Sequence, residues 1–112
     1  MNTRASIAAP PRIEFEDILR RAIYDRQGIV VRCQGFSEER LFEPYVLYRS
    51  RMGRVRLAGN ELVSQRRGAK PVPRVIDLST VTAVRLSGQR FTPDPQFNPD
   101  DPHYQFGIIC RV

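Results

Sequence analysis

The sequence predicts a mainly β (α+β) domain, in which one N-terminal helix leads into about five short strands of a small, strongly bent sheet or barrel. Three observations predict it. The hydrophobic period is about 3.6 as far as Gln27 and about 2 from Gly28 onward. The later apolar runs are short and are separated by clusters of Gly, Pro, Asp and Asn. The chain has 112 residues, enough for one domain with one modest core.

Residues 1–12 lack periodicity, contain Pro10-Pro11 and read as a flexible arm; the single domain spans 13–112. A helix is expected over 13–27. Phe15, Ile18, Leu19, Ala22 and Ile23 form the stripe of a helix lying on a core. Glu14, Glu16 and Asp17 come early and Arg20, Arg21 and Arg26 late, an order that suits the helix dipole. Gly28 is the expected left-handed residue after the helix. Ile29, Val31 and Cys33 then alternate with Val30, Arg32 and Gln34 in a first strand, and 35–39 forms a turn. Residues 40–48 are the next apolar run, with a bend or an edge position at Pro44. After a hairpin loop at 49–53, Val55 and Leu57 alternate with Arg54, Arg56 and Ala58, and 61–63 extends that strand. Residues 66–71 read as a basic, exposed loop. A fourth strand covers 72–78, and Val81, Val84 and Leu86 continue it towards a turn at Gly88. Residues 91–102 are rich in Pro, Asp and Asn and read as irregular. The last strand, 104–112, has the cleanest alternation in the chain: Tyr104, Phe106, Ile108, Cys110 and Val112.

Charge is uneven. The net value is +6, yet residues 40–90 alone carry eleven basic and three acidic side chains, whereas 1–39 balance and 91–112 are net negative. Lys70 is the only lysine; the rest is arginine, whose planar fork grips phosphate or carboxylate and stacks on flat rings. Two cysteines, Cys33 and Cys110, form neither a disulfide framework nor a metal set, and are expected as free thiols. No apolar run approaches the roughly 20 residues that cross a bilayer, and 1–11 lack a signal peptide's apolar core. The expected location is the cytoplasm, with no membrane partner. His103, the only histidine, has no ligands at metal spacing. Ser79 and Thr80 lack a nucleophile-elbow context, and no glycine-rich phosphate loop is present. These features point away from an enzyme and imply no cofactor and no metal.

The order of features resembles the WYL domain, a module of many bacterial transcriptional regulators. The resemblance runs from Ala22 to Phe91. It rests on Ala22-Ile23 before a hydrophobic strand, on Arg40-Leu41-Phe42-Glu43-Pro44-Tyr45-Val46-Leu47, and on Gly53-Arg54-Val55-Arg56-Leu57-Ala58. Pro73-Arg74-Val75-Ile76-Asp77-Leu78, with Val81, is similar to the family's arginine-led strand, and Phe91 with Pro93 to its close. The name-giving tripeptide reads Val55-Arg56-Leu57 here, so only the leucine matches, and residues 1–21 contain no helix-turn-helix. The resemblance implies an SH3-like or Sm-like five-stranded barrel. It implies recognition of a regulatory ligand, single-stranded nucleic acid or a nucleotide, rather than duplex DNA. The family's basic ligand-facing positions fall on Arg40, Arg56 and Arg74.

On successive strands about 4.8 Å apart, those three arginines either converge on one anion or remain a scattered, solvated surface. Tyr48 is a candidate platform for a stacked base, while Phe42 and Tyr45 read as core residues. Arg66, Arg67 and Lys70 form a cluster that either adds phosphate contacts or is a solvated loop. The competing function is a structural or interaction module that homo-oligomerises through edge strands, suggested by the long apolar last strand.

Overall fold

The computed structural model describes residues 12–66 and 68–112. Its elements are α1 (Arg12–Asp25), β1 (Gln27–Cys33), β2 (Arg40–Arg49), β3 (Val55–Gln65), β4 (Gly68–Asp77), β5 (Val81–Arg90) and β6 (Ile108–Arg111). The expected arm lies almost wholly outside the described residues. The six strands form one antiparallel sheet in the order β4-β3-β2-β1-β5, with β6 added against β2.

Strand β2 organises this sheet. One edge pairs with β3 along most of its length. The other edge is shared: Arg40, Leu41 and Phe42 pair with β1, and Val46, Leu47 and Tyr48 pair with β6. Between the two stretches lies Pro44, which has no N–H to give, followed by a bulge that places Val46 opposite Ala58. The extra residue shifts the alternation, so Phe42 and Leu47, five apart, both face the helix.

The main core lies between α1 and the sheet. Leu19, Ala22 and Ile23 pack on Ile29, Val31, Phe42, Leu47, Leu57 and Ile76. Each fully buried Leu, Ile or Phe is worth about 1.5–3 kcal/mol. A second cluster, Val46, Tyr48 and Ala58, occupies the outer face and is covered by Phe97 and Tyr104. Burial on both faces explains why residues 45–48 read as a continuous apolar run.

The structure departs from the sequence reading in five places. The helix ends at Asp25, and Arg26, not Gly28, takes the left-handed conformation (φ 52°). Gly28 is already inside β1, where an added Cβ would meet the Ser87 hydroxyl at 3.0 Å. Residues 68–71 are not loop but strand, with Lys70 opposite Val63 and Pro71 opposite Leu62; prolines fit there because β4 is a sheet edge. Leu78–Thr80 is a 3-10 turn capped by the Asp77 side chain, so β5 is a separate strand, giving six rather than five. Only 108–111 of the expected last strand pairs. Asp101 and Pro102 instead start a 3-10 turn over Pro102–Tyr104, and the apolar alternation at Tyr104 is satisfied by packing on the outer face. Finally, among the described residues no ladder joins β4 to β5, so the sheet is open rather than closed into a barrel. The helix α1 packs against β1, β2, β5 and β6. Among the described residues no helix is long and apolar enough to cross a membrane.

Candidate functional site

After β5 the chain crosses the outer face of the sheet as a strap, residues 91–107, and returns as β6. Its attachments are local and aromatic. The Phe91 N–H donates to the Arg26 carbonyl at 2.9 Å. The Asp94 N–H donates to the Tyr45 hydroxyl at 2.8 Å. Phe91 stacks on Tyr45 with centroids 5.5 Å apart, Phe97 meets Tyr45 edge-on at 5.4 Å, and Tyr104 meets Tyr48 edge-on at 4.9 Å. Asp94, Asn98 and Asp101 each accept a backbone N–H two residues ahead, which turns the strap without regular structure. At its end the Gly107 carbonyl accepts from the Arg49 N–H at 2.8 Å.

Two hollows lie between strap and sheet. The first, about 380 Å³, is lined by the rings of Tyr45, Phe97 and Tyr104 and by Ala58, Pro73 and Val75, with Asn60, Arg74, Asp94 and Gln96 as its polar lining. The second, about 330 Å³, combines Met52 and Phe106 with Arg51, Arg56 and His103 around Tyr48. The touching rings of Tyr48, which lines the second, and Tyr104, which lines the first, lie between the two. Burial pushes the Tyr48 hydroxyl above its ordinary value, and neighbouring Arg56 opposes that shift. Burial also raises Tyr104. Asp101 is held below the usual carboxylate range by the backbone and ring N–H groups of His103, whose Nδ1 is 2.7 Å from Oδ1.

The three strand arginines do not converge. Phe42 and Leu57 face α1, and a period of two puts Arg40 and Glu61 on that same side. Arg74, two residues before buried Ile76, joins them. Arg40 donates to Glu61 Oε1 at 2.6 Å, and Arg74 Nε lies 3.5 Å from the same oxygen. The Arg40 guanidinium also sits 5.2 Å from the centre of the Phe36 ring. Arg56 directly precedes Leu57 and therefore takes the opposite face, beside Tyr48. The Glu61 carboxylate is held low, chiefly by its hydrogen bond from Arg40, and the guanidinium of Arg40 is correspondingly raised.

Other expected positions are equally definite. Tyr48 is only 3% exposed, with Tyr104 against its ring, so it supports the second hollow rather than offering an open stacking face. Phe42 and Tyr45 are buried. Arg66 and Lys70 are exposed near the far tip of the β3–β4 hairpin. Lys70 faces Val63, seven positions from Arg56 along β3 and thus roughly 23 Å away. Arg67 lies outside the described residues. Arg54 is engaged by Asp77 at 3.0 Å. Cys33 is a free thiol in the main core, and Cys110 is a free, half-buried one. Among the described residues no three His, Cys, Asp or Glu side chains gather to hold a metal. Sequence reasoning missed Arg51, Met52, Asn60, Asp94 and Phe106. Asn60 gives the one signal that could have been used, a lone amide in the middle of a strand.

No family model and no curated protein matches the chain. Among solved structures the chain is similar to proteasome accessory factor B/C (PafBC) of Arthrobacter aurescens, a WYL-domain-containing regulator. Identity is 28%, the TM-score is 0.58, and the match covers 81% of this chain and 14% of that one. The likeness supports a WYL-like relationship, and the chain spans about a seventh of that protein's length.

Proposed function

We propose that this is a non-catalytic, regulatory ligand-binding domain whose ligand is single-stranded nucleic acid or a nucleotide-like anion lying between strap and sheet. The observation that carries the reading is the pair of neighbouring hollows, one lined by aromatic rings and the other carrying Arg51 and Arg56. Neither of these arginines has a carboxylate within ion-pair distance among the described residues, unlike Arg40, Arg54, Arg74 and Arg85. Arginine beside aromatic surface is the combination that single strands use. In this reading Arg56 and Arg51 take phosphate, Arg74 assists from the rim of the first hollow, and Arg40 acts through Glu61. Assembly through edge strands draws less support: Pro71 and Pro73 remove two donors from the β4 edge, and β6 already pairs with β2.

The test is the salt dependence of binding to a short labelled single-stranded RNA. Each phosphate neutralised contributes about −0.7 to the log–log slope. Measured around 0.15 M salt, Arg56→Gln should weaken binding and flatten the slope by about that amount, while Arg21→Gln, on the helix side, should leave both unchanged. Equal losses in the two variants would mean a diffuse positive field and no site.

A further inference from the structure

We infer that the first hollow is a pocket for one nucleobase of the guanine type, read by Asp94 and Asn60. The inference rests on the proposed anion site and adds what that site selects. The hollow is a slot with apolar walls: Phe97 and Tyr104 on the strap, Pro73 and Val75 on the edge strand. Val75 is 58% exposed, so its side chain is accessible from the hollow. A volume of about 380 Å³ is at the small end of ligand clefts, suited to a single ring system rather than a longer segment.

The polar lining sets the hydrogen-bonding pattern. Asp94 Oδ1 accepts the Gln96 N–H at 2.8 Å and so fixes the carboxylate in place. Its Oδ2 has no hydrogen-bond partner among the described residues, and neither does the Asn60 side chain. An ionised carboxylate only accepts. Of the common bases, guanine alone presents two adjacent donors, N1–H and the 2-amino group, on one edge. Adenine and cytosine each place an acceptor beside their amino group, which would oppose the carboxylate. Asn60, with both a donor and an acceptor, suits the neighbouring O6. Arg74 also lines the hollow, with its guanidinium engaged by Glu61.

The test compares GMP, AMP, CMP and UMP by titration calorimetry, and short homopolymeric single strands by anisotropy. The wild-type protein should prefer GMP by about tenfold, the discrimination expected of one good bidentate contact. Asp94→Asn keeps the oxygen that accepts from Gln96 but replaces the outer acceptor with a donor. It should abolish the guanine preference, leave the melting temperature unchanged, and leave the salt slope of strand binding intact. Salt-dependent binding with no base preference would overturn the base pocket while the anion site stands. A guanine preference that survives Asp94→Asn would overturn the assignment to this slot. No binding of any nucleotide or strand at low salt would overturn both readings together.

Discussion

Glu61 decides what two of the three strand arginines can do. It is half-buried, it accepts from Arg40, and it sits within 3.5 Å of Arg74. Its carboxylate is held low by these partners, with the Arg40 hydrogen bond first. A lowered folded value contributes stability above the unfolded carboxylate range, and that contribution is lost as pH falls through the lowered value. Glu61→Gln should therefore cost about 1–2 kcal/mol at neutral pH, and the gap to wild type should close as the solution becomes acidic. Urea titrations at several pH values measure this, and a gap that widened on acidification would reverse the assignment. This triad was not legible in the sequence. Arg40 and Glu61 are 21 residues apart, and nothing in composition says that an arginine surplus will be partly cancelled by one carboxylate on the neighbouring strand. The placement of Arg56 was available from alternation alone, since it precedes a core leucine and must face away from the helix.

At the level of elements, the sequence reveals most where period and burial agree. Strands β1 and β2 fall within a residue or two of their expected bounds because one face of each packs on α1. Reading failed where alternation arises from something other than pairing. Tyr104 and Phe106 alternate with the true strand, yet they belong to the strap, where one covers Tyr48 and the other lines a hollow. Residues 66–71, basic and ending in Pro71, read as a loop because the edge position of β4 could not be known beforehand. The crossing of β2 and β3 makes a sharper demand. An added Cβ at Gly59 would overlap the Glu43 carbonyl oxygen and lie 2.8 Å from the Phe42 ring. Gly53, in the hairpin loop, has φ 78° and open space around it. Gly59→Ala should cost about 3 kcal/mol through a collision with backbone, against about 1 kcal/mol for Gly53→Ala through its left-handed conformation. Denaturant midpoints of the two variants check the order, and a Gly59→Ala variant no weaker than Gly53→Ala would mean that β2 and β3 separate easily at the bulge.

Over the whole molecule, charge and shape work together. The described residues span about 50 × 35 × 24 Å, several times the Debye length of about 8 Å at physiological salt. The helix side is therefore screened from an anion between strap and sheet at physiological salt, and contributes to the field an approaching anion meets only at low salt, where the Debye length is about 30 Å at 0.01 M. The strap, with Asp94, Asp100 and Asp101 and no lysine or arginine, repels a phosphate backbone along most of its length, leaving the sheet side with Arg51 and Arg56 as the approach. Encounter and residence should separate accordingly. Arg21→Glu, which lowers the net charge by two on the far side, should slow association at low salt, have little effect near 0.15 M, and leave dissociation unchanged. Arg56→Gln should chiefly speed dissociation, and should do so at every salt concentration. Stopped-flow measurements on the same labelled strand separate the two rates. If both variants altered only association, the strand would be held by the general field of the molecule. If Arg56→Gln alone shortened the complex lifetime, the hold would be local, in the second hollow where Arg56 stands beside Tyr48.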